Sequence, residues 1–461
     1  MNSHRLIFTS ILILYFLTAC SNGGTRPGHS LMKPKDGLVT EPVFTGKIYL
    51  QMRGNPQGPV VFLIHGLGDD ASTIWQKTMK KLERDYFVAT LDLPGFGKSS
   101  KANELYSPEN YVKVLHHISE TYFDQQPFHL VGHSMGGAIS LRYAATYPED
   151  VKTLTLVDAA GILHRLAYTK YLASMGLKMF SGMGFFDTNK ASSLVELILS
   201  KADDIMRIDP SLLIQTPTLR AKVLRENPAT ISGLALVLDD FSTIPSKVKA
   251  PTRIIWGEED AVAPLRTGHV LNALIPDSSL HIIPQAGHVP IRTHADEFHA
   301  LLVKSLQQDP VKSATTNHQD RKQDNVSCHE ENETTYSGKI KTLTIRKCQN
   351  VLIKDATIGH VIIDNSDVQL ENVIISAPGD TAVEIADSVV MMTAGTITGN
   401  IAITSENSRL DIAGTRLKAR DSAILTSSTT DIIFSLTPVS SKHQSNTILH
   451  GRKKLQSDKK P

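Results

Sequence analysis

The chain has 461 residues, of which 41% are hydrophobic and 20% are charged, and its formal net charge is +2. This length predicts two or three folded units, and the near balance of charges argues against nucleic acid as a main partner. The 18 histidines and three cysteines show no spacing typical of a metal site, so we expect neither a metal nor a cofactor.

The first 20 residues have the pattern of an export signal. An apolar run over residues 6–17, too short to span a bilayer as a mature helix, leads into LTAC at residues 17–20. This tetrad resembles the lipobox of bacterial lipoproteins, which implies cleavage before Cys20 and lipidation of that cysteine. Ser21 after it implies the outer membrane, if the source is Gram-negative. The alternative is an ordinary signal peptide with a chance cysteine.

Residues 21–42 are rich in Gly, Pro and polar side chains and predict a flexible tether. Residues 43–307 then alternate strand and helix patterns, and their continuous apolar strands are typical of a parallel sheet buried on both faces. We therefore predict an α/β fold with helices on both faces of the sheet. The predicted strands are 43–51, 60–64, 87–93, 128–131, 153–158, 252–256 and 279–284, and helices are predicted at 71–84, 108–123 and 135–147.

The alternation stops over residues 161–245, where Met, Leu, Phe and Tyr recur at helical spacing. This segment predicts a helical cap inserted between two strands of the sheet. Additional core helices packed on the sheet are the alternative, because such stripes also occur in ordinary cores.

Residues 308–337 are polar and predict a linker, and residues 338–439 repeat short apolar segments about every 17 to 22 residues, with polar corners such as DNSD at 364–367. This period predicts an all-β domain resembling a short parallel β-helix, with a small β-sandwich or meander as the alternative. A glycan or a protein partner could bind the repeats. The repeats centre on Val351, Val368, Val389, Leu410 and Ile432.

Residues 440–461 are basic and polar and predict a disordered tail.

With Cys20 assigned to the lipid, Cys328 and Cys348 remain. In an oxidising compartment they could form a disulfide, which would close a loop of about 20 residues and contribute about 3 kcal/mol. Two free thiols are the alternative.

The motif GHSMGG occupies residues 132–137, between an apolar strand and a helical pattern. In this context G-x-S-x-G places a serine on a tight turn before a helix N-terminus, so we predict Ser134 as a nucleophile. The backbone N–H of Met135 at the helix start, and that of Leu67 in the HGLG turn, are the expected oxyanion donors. His65 in the same turn is interpreted as a structural hydrogen-bonding residue.

Two further fragments, GEED at 257–260 and AGHVP at 286–290, each follow a predicted strand. Loops at the carboxyl ends of parallel strands emerge at one edge of a sheet, so these fragments should converge on Ser134. Imidazole can accept the serine proton, which predicts His288 as the general base and Asp260 as the carboxylate that orients it. Other acids at comparable positions are Asp158, Glu258 and Glu259.

Residues 43–307 resemble the α/β-hydrolase superfamily in the HGLG turn, DLPGFGKS at 92–99, GHSMGG, WGEEDAVAP at 256–264 and AGHVP. The resemblance implies catalytic roles for Ser134, Asp260 and His288. It is closest to serine esterases and lipases, including monoacylglycerol lipases, and implies a small-molecule carboxylic ester as substrate.

The alternatives are a hydrolase of carbon–carbon bonds in ring-fission products, or an envelope binding protein with an inert hydrolase domain. The related dehalogenases and epoxide hydrolases have Asp at the position of Ser134. The serine therefore disfavours a dehalogenase and an epoxide hydrolase.

Overall fold

The computed structural model describes residues 32–68, 70–167, 211–307, 322–426 and 429–455. The export signal with Cys20, the first part of the predicted tether, residues 168–210 of the predicted cap, residues 308–321 of the predicted linker and the last six residues lie outside this part of the chain. The described residues build two sheets, one of eight strands and one of eleven.

The eight-stranded sheet and its helices make up the first unit. Its strands are β1 Lys35–Thr40, β2 Lys47–Gly54, β3 Val60–Ile64, β4 Phe87–Leu91, β5 Phe128–His133, β6 Val151–Val157, β7 Thr252–Gly257 and β8 Ser278–Ile283. Its helices are α1 Gln76–Leu82, α2 Pro108–Tyr122, α3 Met135–Thr146, α4 Ser211–Gln215, α5 Pro217–Leu224, α6 Pro228–Leu238, α7 Leu265–Leu274, α8 Pro290–Thr293 and α9 Ala295–Gln307, with 3-10 turns at Ala71–Trp75 and Pro245–Lys247.

The strands follow the order β1-β2-β4-β3-β5-β6-β7-β8. The pairs β1–β2 and β2–β4 are antiparallel, and all other neighbours are parallel. Every residue of β3, β4, β5 and β7 is buried, as expected for strands covered by helices on both faces. The predicted α/β fold is confirmed, and the carboxyl ends of β3 to β8 share one edge of the sheet.

The predicted tether is wrong over its last residues. Lys35–Thr40 forms β1 and pairs with Lys47–Gly54 at the edge of the sheet. Only Val39 of this strand is buried. An edge strand with polar side chains at most positions has the composition of a loop, which is why it was predicted as one.

The described parts of residues 161–245 are helical where regular structure occurs, in α4, α5 and α6. Helix α6 begins after Asn227, whose side chain accepts a hydrogen bond from the Thr230 N–H at 2.9 Å, and Pro228 suits its first turn. It lies against α2 through a 2.9 Å contact between Tyr111 Oη and Ser232 Oγ. Among the described residues, none of the helices has the length and apolar character needed to cross a bilayer.

The second unit consists of strands alone. These are β9 Lys322–His329, β10 Thr335–Arg346, β11 Val351–Asp364, β12 Asp367–Glu371, β13 Ile374–Ala386, β14 Val389–Thr393, β15 Thr396–Glu406, β16 Arg409–Ala413, β17 Arg416–Thr426, β18 Thr430–Ser441 and β19 Gln444–Leu455.

Successive repeats of this unit stack as parallel strands. The chain of partners runs from Val351 to Val368, Val390, Leu410 and Ile432, so the predicted centre at 389 was one residue early. Strand β11 pairs with both β12 and β13, and β18 with both β16 and β17, which closes the sheet on itself. The predicted all-β domain of parallel repeats is confirmed, and its parallel pairing excludes the meander.

The polar corners are built by stacked serines. The hydroxyl of Ser366 accepts the Cys348 N–H, that of Ser388 accepts the Ser366 N–H, and that of Ser408 accepts the Ser388 N–H, each at 3.0 Å. The residue before each serine has a positive φ, and Asn or Asp at these places suits that conformation. The polar tetrads in the sequence therefore mark buried hydrogen bonds between turns of the chain.

Two boundaries of this unit were predicted wrongly. Lys322–His329 and the start of Thr335–Arg346 lie in the predicted linker, and Gln444–Leu455 lies in the predicted disordered tail but pairs antiparallel with β18. Strands β9 and β19 are terminal and rich in polar residues, so composition alone suggested loops. The structure joins the buried Cys328 and Cys348 in a disulfide across β9 and the corner after β10.

The two units are in contact along α7. Arg266 of α7 binds both carboxylate oxygens of Asp411 in β16, at 2.8 and 3.0 Å, and Val270 packs against Gly414. A further contact between the units is the hydrogen bond that the backbone N–H of His164 donates to Ser435 Oγ at 3.0 Å. Residues of the second unit that join the core of the first are Ala413, Ile433 and Leu436.

Candidate active site

Ser134 lies at the turn between β5 and α3, with φ 54° and ψ −121°. This is a costly conformation for a residue with a Cβ, and it projects the hydroxyl beyond the edge of the sheet. The flanking glycines make the turn possible. A Cβ at Gly132 would lie 2.2 Å from the Gly136 carbonyl oxygen, and one at Gly136 would lie 2.4 Å from the His65 carbonyl oxygen.

Three predicted site residues meet at this edge. His288 Nε2 lies 2.9 Å from Ser134 Oγ, and His288 Nδ1 lies 2.8 Å from Asp260 Oδ2. The Asp260 side chain is fully buried, and the His288 side chain is only 10% exposed. These distances are those of a serine, a base and an orienting carboxylate connected by hydrogen bonds.

Asp260 is held from several sides. Its Oδ1 accepts the N–H groups of Val262 and Ala263, at 2.8 and 2.9 Å, which leaves Oδ2 facing the imidazole. The side chain of Glu258, an alternative to Asp260 in the sequence analysis, accepts the N–H of Gln285. Glu259 is exposed. The structure therefore places Asp260, rather than either glutamate, against His288.

His133, the residue before the serine, is in contact with the same histidine. Its Nε2 donates to the His288 carbonyl oxygen at 2.8 Å, although 155 residues separate the two in sequence. Burial, with a smaller effect from His288, lowers the pKa of His133 to about 3, so the ring is neutral. The sequence showed no sign of this contact, because the loop conformation that creates it is not encoded in any local pattern.

His65 has the structural role predicted for it. Its Nδ1 donates to the Gly66 carbonyl oxygen at 2.7 Å, and its Nε2 accepts the Leu93 N–H at 2.9 Å. Burial lowers the pKa of His65 to about 4, which keeps one nitrogen available as an acceptor. The ring thereby ties the turn after β3 to the end of β4.

Of the two residues predicted as oxyanion donors, Met135 directly follows the serine and Leu67 lies in the turn after β3. Met135 is the first residue of α3, so its N–H has no partner within the helix. The turn containing Leu67 lies close by, since a Cβ at Gly66 would be 2.7 Å from Ser134 Cβ. Leu67 also reaches α6, where its Cδ2 is 3.8 Å from the place of a Cβ at Gly233. The Leu67 side chain therefore lies between the turn after β3 and helix α6.

Among the described residues, no group of three His, Cys, Asp or Glu side chains is arranged to hold a metal ion. The arrangement present is a serine, a histidine and an aspartate joined by hydrogen bonds, which are groups that can carry out acyl transfer.

The chain belongs to the α/β hydrolase fold family, whose model matches residues 59–295. This range contains the serine, the acid and the histidine.

Several relatives are about equally similar. The chain is 29% identical to Lipase 1 of Psychrobacter immobilis over 264 residues, which is 54% of this chain and 78% of that protein. It is 29% identical to monoacylglycerol lipase abhd6-B of Xenopus laevis over 249 residues, 51% of this chain and 72% of that protein. It is 27% identical over 285 residues to 2-hydroxy-6-oxononadienedioate/2-hydroxy-6-oxononatrienedioate hydrolase of Pseudomonas sp, 58% of this chain and 94% of that protein.

Proposed function

We propose that the protein is a serine hydrolase that cleaves carboxylic esters, either acyl glycerides or short to medium acyl esters, through an acyl-enzyme on Ser134. The observation that carries this proposal is the unbroken hydrogen-bond chain from Ser134 Oγ through His288 to Asp260. The similarity to two proteins named as lipases supports it.

In the first half-reaction, His288 Nε2 accepts the hydroxyl proton as Ser134 Oγ attacks the ester carbonyl. Asp260 holds Nδ1–H and stabilises the imidazolium that forms. The negative charge on the carbonyl oxygen is stabilised by the N–H groups of Met135 and Leu67. The imidazolium then gives its proton to the leaving alcohol, and the acyl group stays on the serine.

In the second half-reaction, water replaces the alcohol. His288 takes a proton from the water as it attacks the acyl-serine, and returns that proton to Ser134 Oγ when the carboxylic acid leaves. Each proton therefore moves through Nε2, which lies 2.9 Å from the hydroxyl.

The apolar composition of the cap region supports this substrate class. Helix α6 contains Leu234, Ala235 and Leu236, and Leu67 approaches it beside the serine. Each methylene of an acyl chain buried against such a wall contributes about 0.8 kcal/mol. We therefore expect kcat/KM to increase with acyl length until the pocket is filled.

The test is turnover of p-nitrophenyl esters of increasing chain length by the full chain. Replacement of Ser134 by Ala should lower kcat by a factor on the order of 10⁶ and leave folding intact, because the nucleophile is lost. Ser140→Ala is the matched control, since Ser140 lies on α3 and its buried hydroxyl has no hydrogen-bond partner in the described structure. Activity retained in Ser134→Ala would refute the assignment.

The second candidate is cleavage of carbon–carbon bonds in ring-fission products. Similarity to the Pseudomonas hydrolase over 94% of its length favours it. The export pattern at the N-terminus favours esters, since ring-fission products are usually cytosolic. Parallel assays with a 2-hydroxy-6-oxo-dienoate and with esters distinguish the two, and an inert protein would turn over neither. In that case the second unit, as a binder of a glycan or protein, would be the functional part.

We further propose that lipidation of Cys20 anchors the protein in a membrane, which is the outer membrane if the source is Gram-negative. The sequence LTAC supports this proposal. Replacement of Cys20 by Ser should move the protein from the membrane fraction to the soluble fraction after cell disruption. Unchanged partitioning would contradict the anchor.

A further inference from the structure

A second carboxyl group lies behind the serine, histidine and acid. Asp158 immediately follows β6, is fully buried and has a φ of 46°. Its Oδ1 accepts the N–H of Gly257 at 2.8 Å, at the end of the neighbouring strand β7. This contact fixes the carboxyl group between the ends of two strands.

Asp158 and Asp260 both bind Gly257, whose carbonyl oxygen accepts the Asp260 N–H at 3.3 Å. Among the described residues, the buried Asp158 Oδ2 has no N–H or O–H donor, and Asp260 is the neighbouring acid that raises the pKa of Asp158. A buried carboxylate oxygen without a donor, next to a second carboxyl group, is costly to keep ionised, and a proton on one of the two groups removes this cost.

The surroundings decide which carboxyl group is protonated. Both oxygens of Asp260 already face partners, since Oδ1 accepts two backbone N–H groups and Oδ2 lies against Nδ1 of His288. Asp158 accepts a single N–H. Its burial, together with the charge of Asp260, raises the pKa of Asp158 well above its ordinary value. The proton therefore belongs on Asp158 at neutral pH.

We propose that Asp158 is a neutral carboxylic acid that donates a hydrogen bond to Asp260 and so positions that carboxylate for His288. This inference rests on the proposed function, because it extends the set of hydrogen-bonded residues behind Ser134 to a fourth member. Asp158 is a positioning residue, since it acts through Asp260 and touches no reacting atom.

The inference predicts which substitution is tolerated. An Asn at position 158 can accept the Gly257 N–H with its oxygen and donate to Asp260 with its amide, and Asn also suits a positive φ. Asp92 provides a matched contrast, because its oxygens accept N–H and O–H groups from Ser72 and an N–H from Lys98. An amide at position 92 would turn an N–H towards these donors.

The test combines infrared spectra with ester kinetics on the full chain. The wild-type spectrum at pH 7 should contain the carbonyl band of a protonated carboxylic acid, and this band should be absent in Asp158→Asn. The kcat of Asp158→Asn should stay within about 3-fold of wild type, whereas Asp158→Ala should lower kcat by about 10- to 100-fold with little change in KM. Asp92→Asn should lower stability more than Asp158→Asn does.

The outcomes separate this proposal from the hydrolase assignment. Absence of the acid band, or an Asp158→Asn variant as impaired as Asp158→Ala, would show that Asp158 is ionised and overturn the proposal. Full kcat in Asp158→Ala would overturn the positioning role. If Asp158→Ala does not fold, the infrared band and the kinetics of Asp158→Asn still show whether Asp158 is protonated. A wild type with the band but without hydrolysis would refute the proposed function alone.

Discussion

His133 shows how one buried side chain can position the base of the site. Its neutral ring donates to the backbone carbonyl oxygen of His288, so it holds the loop rather than the imidazole. The convergence of Ser134, Asp260 and His288 could be predicted, because each follows a parallel strand and such strands end at one edge. The contacts of His133 and Asp158 could not, because they depend on loop conformation and on which carboxyl group is protonated.

Replacement of His133 by Ala should lower kcat about 10- to 100-fold, because the His288 loop loses its support and small displacements of a base are costly. His129→Ala is the control, since His129 is on the same strand, is equally buried and bonds Thr153 Oγ1 at 2.7 Å, away from the serine. Both variants should lose about 1 to 3 kcal/mol of stability on urea unfolding. Equal kcat values for the two variants would contradict the positioning role of His133.

At the scale of secondary structure, the central strands could be predicted from the sequence, whereas the strands at the edges could not. Buried strands such as β3 and β5 have continuous apolar sequences, and the repeats of the second unit have apolar residues that point into its core. Strands β1, β9 and β19 are held by backbone hydrogen bonds to one neighbouring strand, and few of their own side chains are buried. Composition cannot distinguish such strands from loops, because their stability comes from the partner.

At the scale of the whole molecule, the second unit is joined to the hydrolase unit by a nearly buried ion pair. The side chains of Arg266 and Asp411 are only 12% and 13% exposed, and Arg266 also donates to the Met392 carbonyl oxygen at 3.2 Å. The sequence predicted the two units but not this contact, since no pattern within either unit indicates its partner surface. The interface implies that a substitution in the second unit changes the stability of the first.

Replacement of Asp411 by Ala should lower the free energy of unfolding by about 3 kcal/mol, because it leaves the Arg266 guanidinium buried without its partner. The two tryptophans, Trp75 and Trp256, are both buried in the first unit, so their fluorescence during urea unfolding reports on that unit. Asp431→Ala is the control in the second unit, where Asp431 pairs with the more exposed Arg452. Identical fluorescence transitions for the two variants would argue against coupling between the units.

The most direct measurement of the proposed chemistry is covalent labelling of the full chain by a fluorophosphonate, with the modified residue located by mass spectrometry. The proposed mechanism predicts labelling of wild type at Ser134, no labelling of Ser134→Ala, and strongly slowed labelling when His288 is replaced by Ala. Labelling at another serine, or an unlabelled wild type that is folded, would contradict a nucleophile at Ser134.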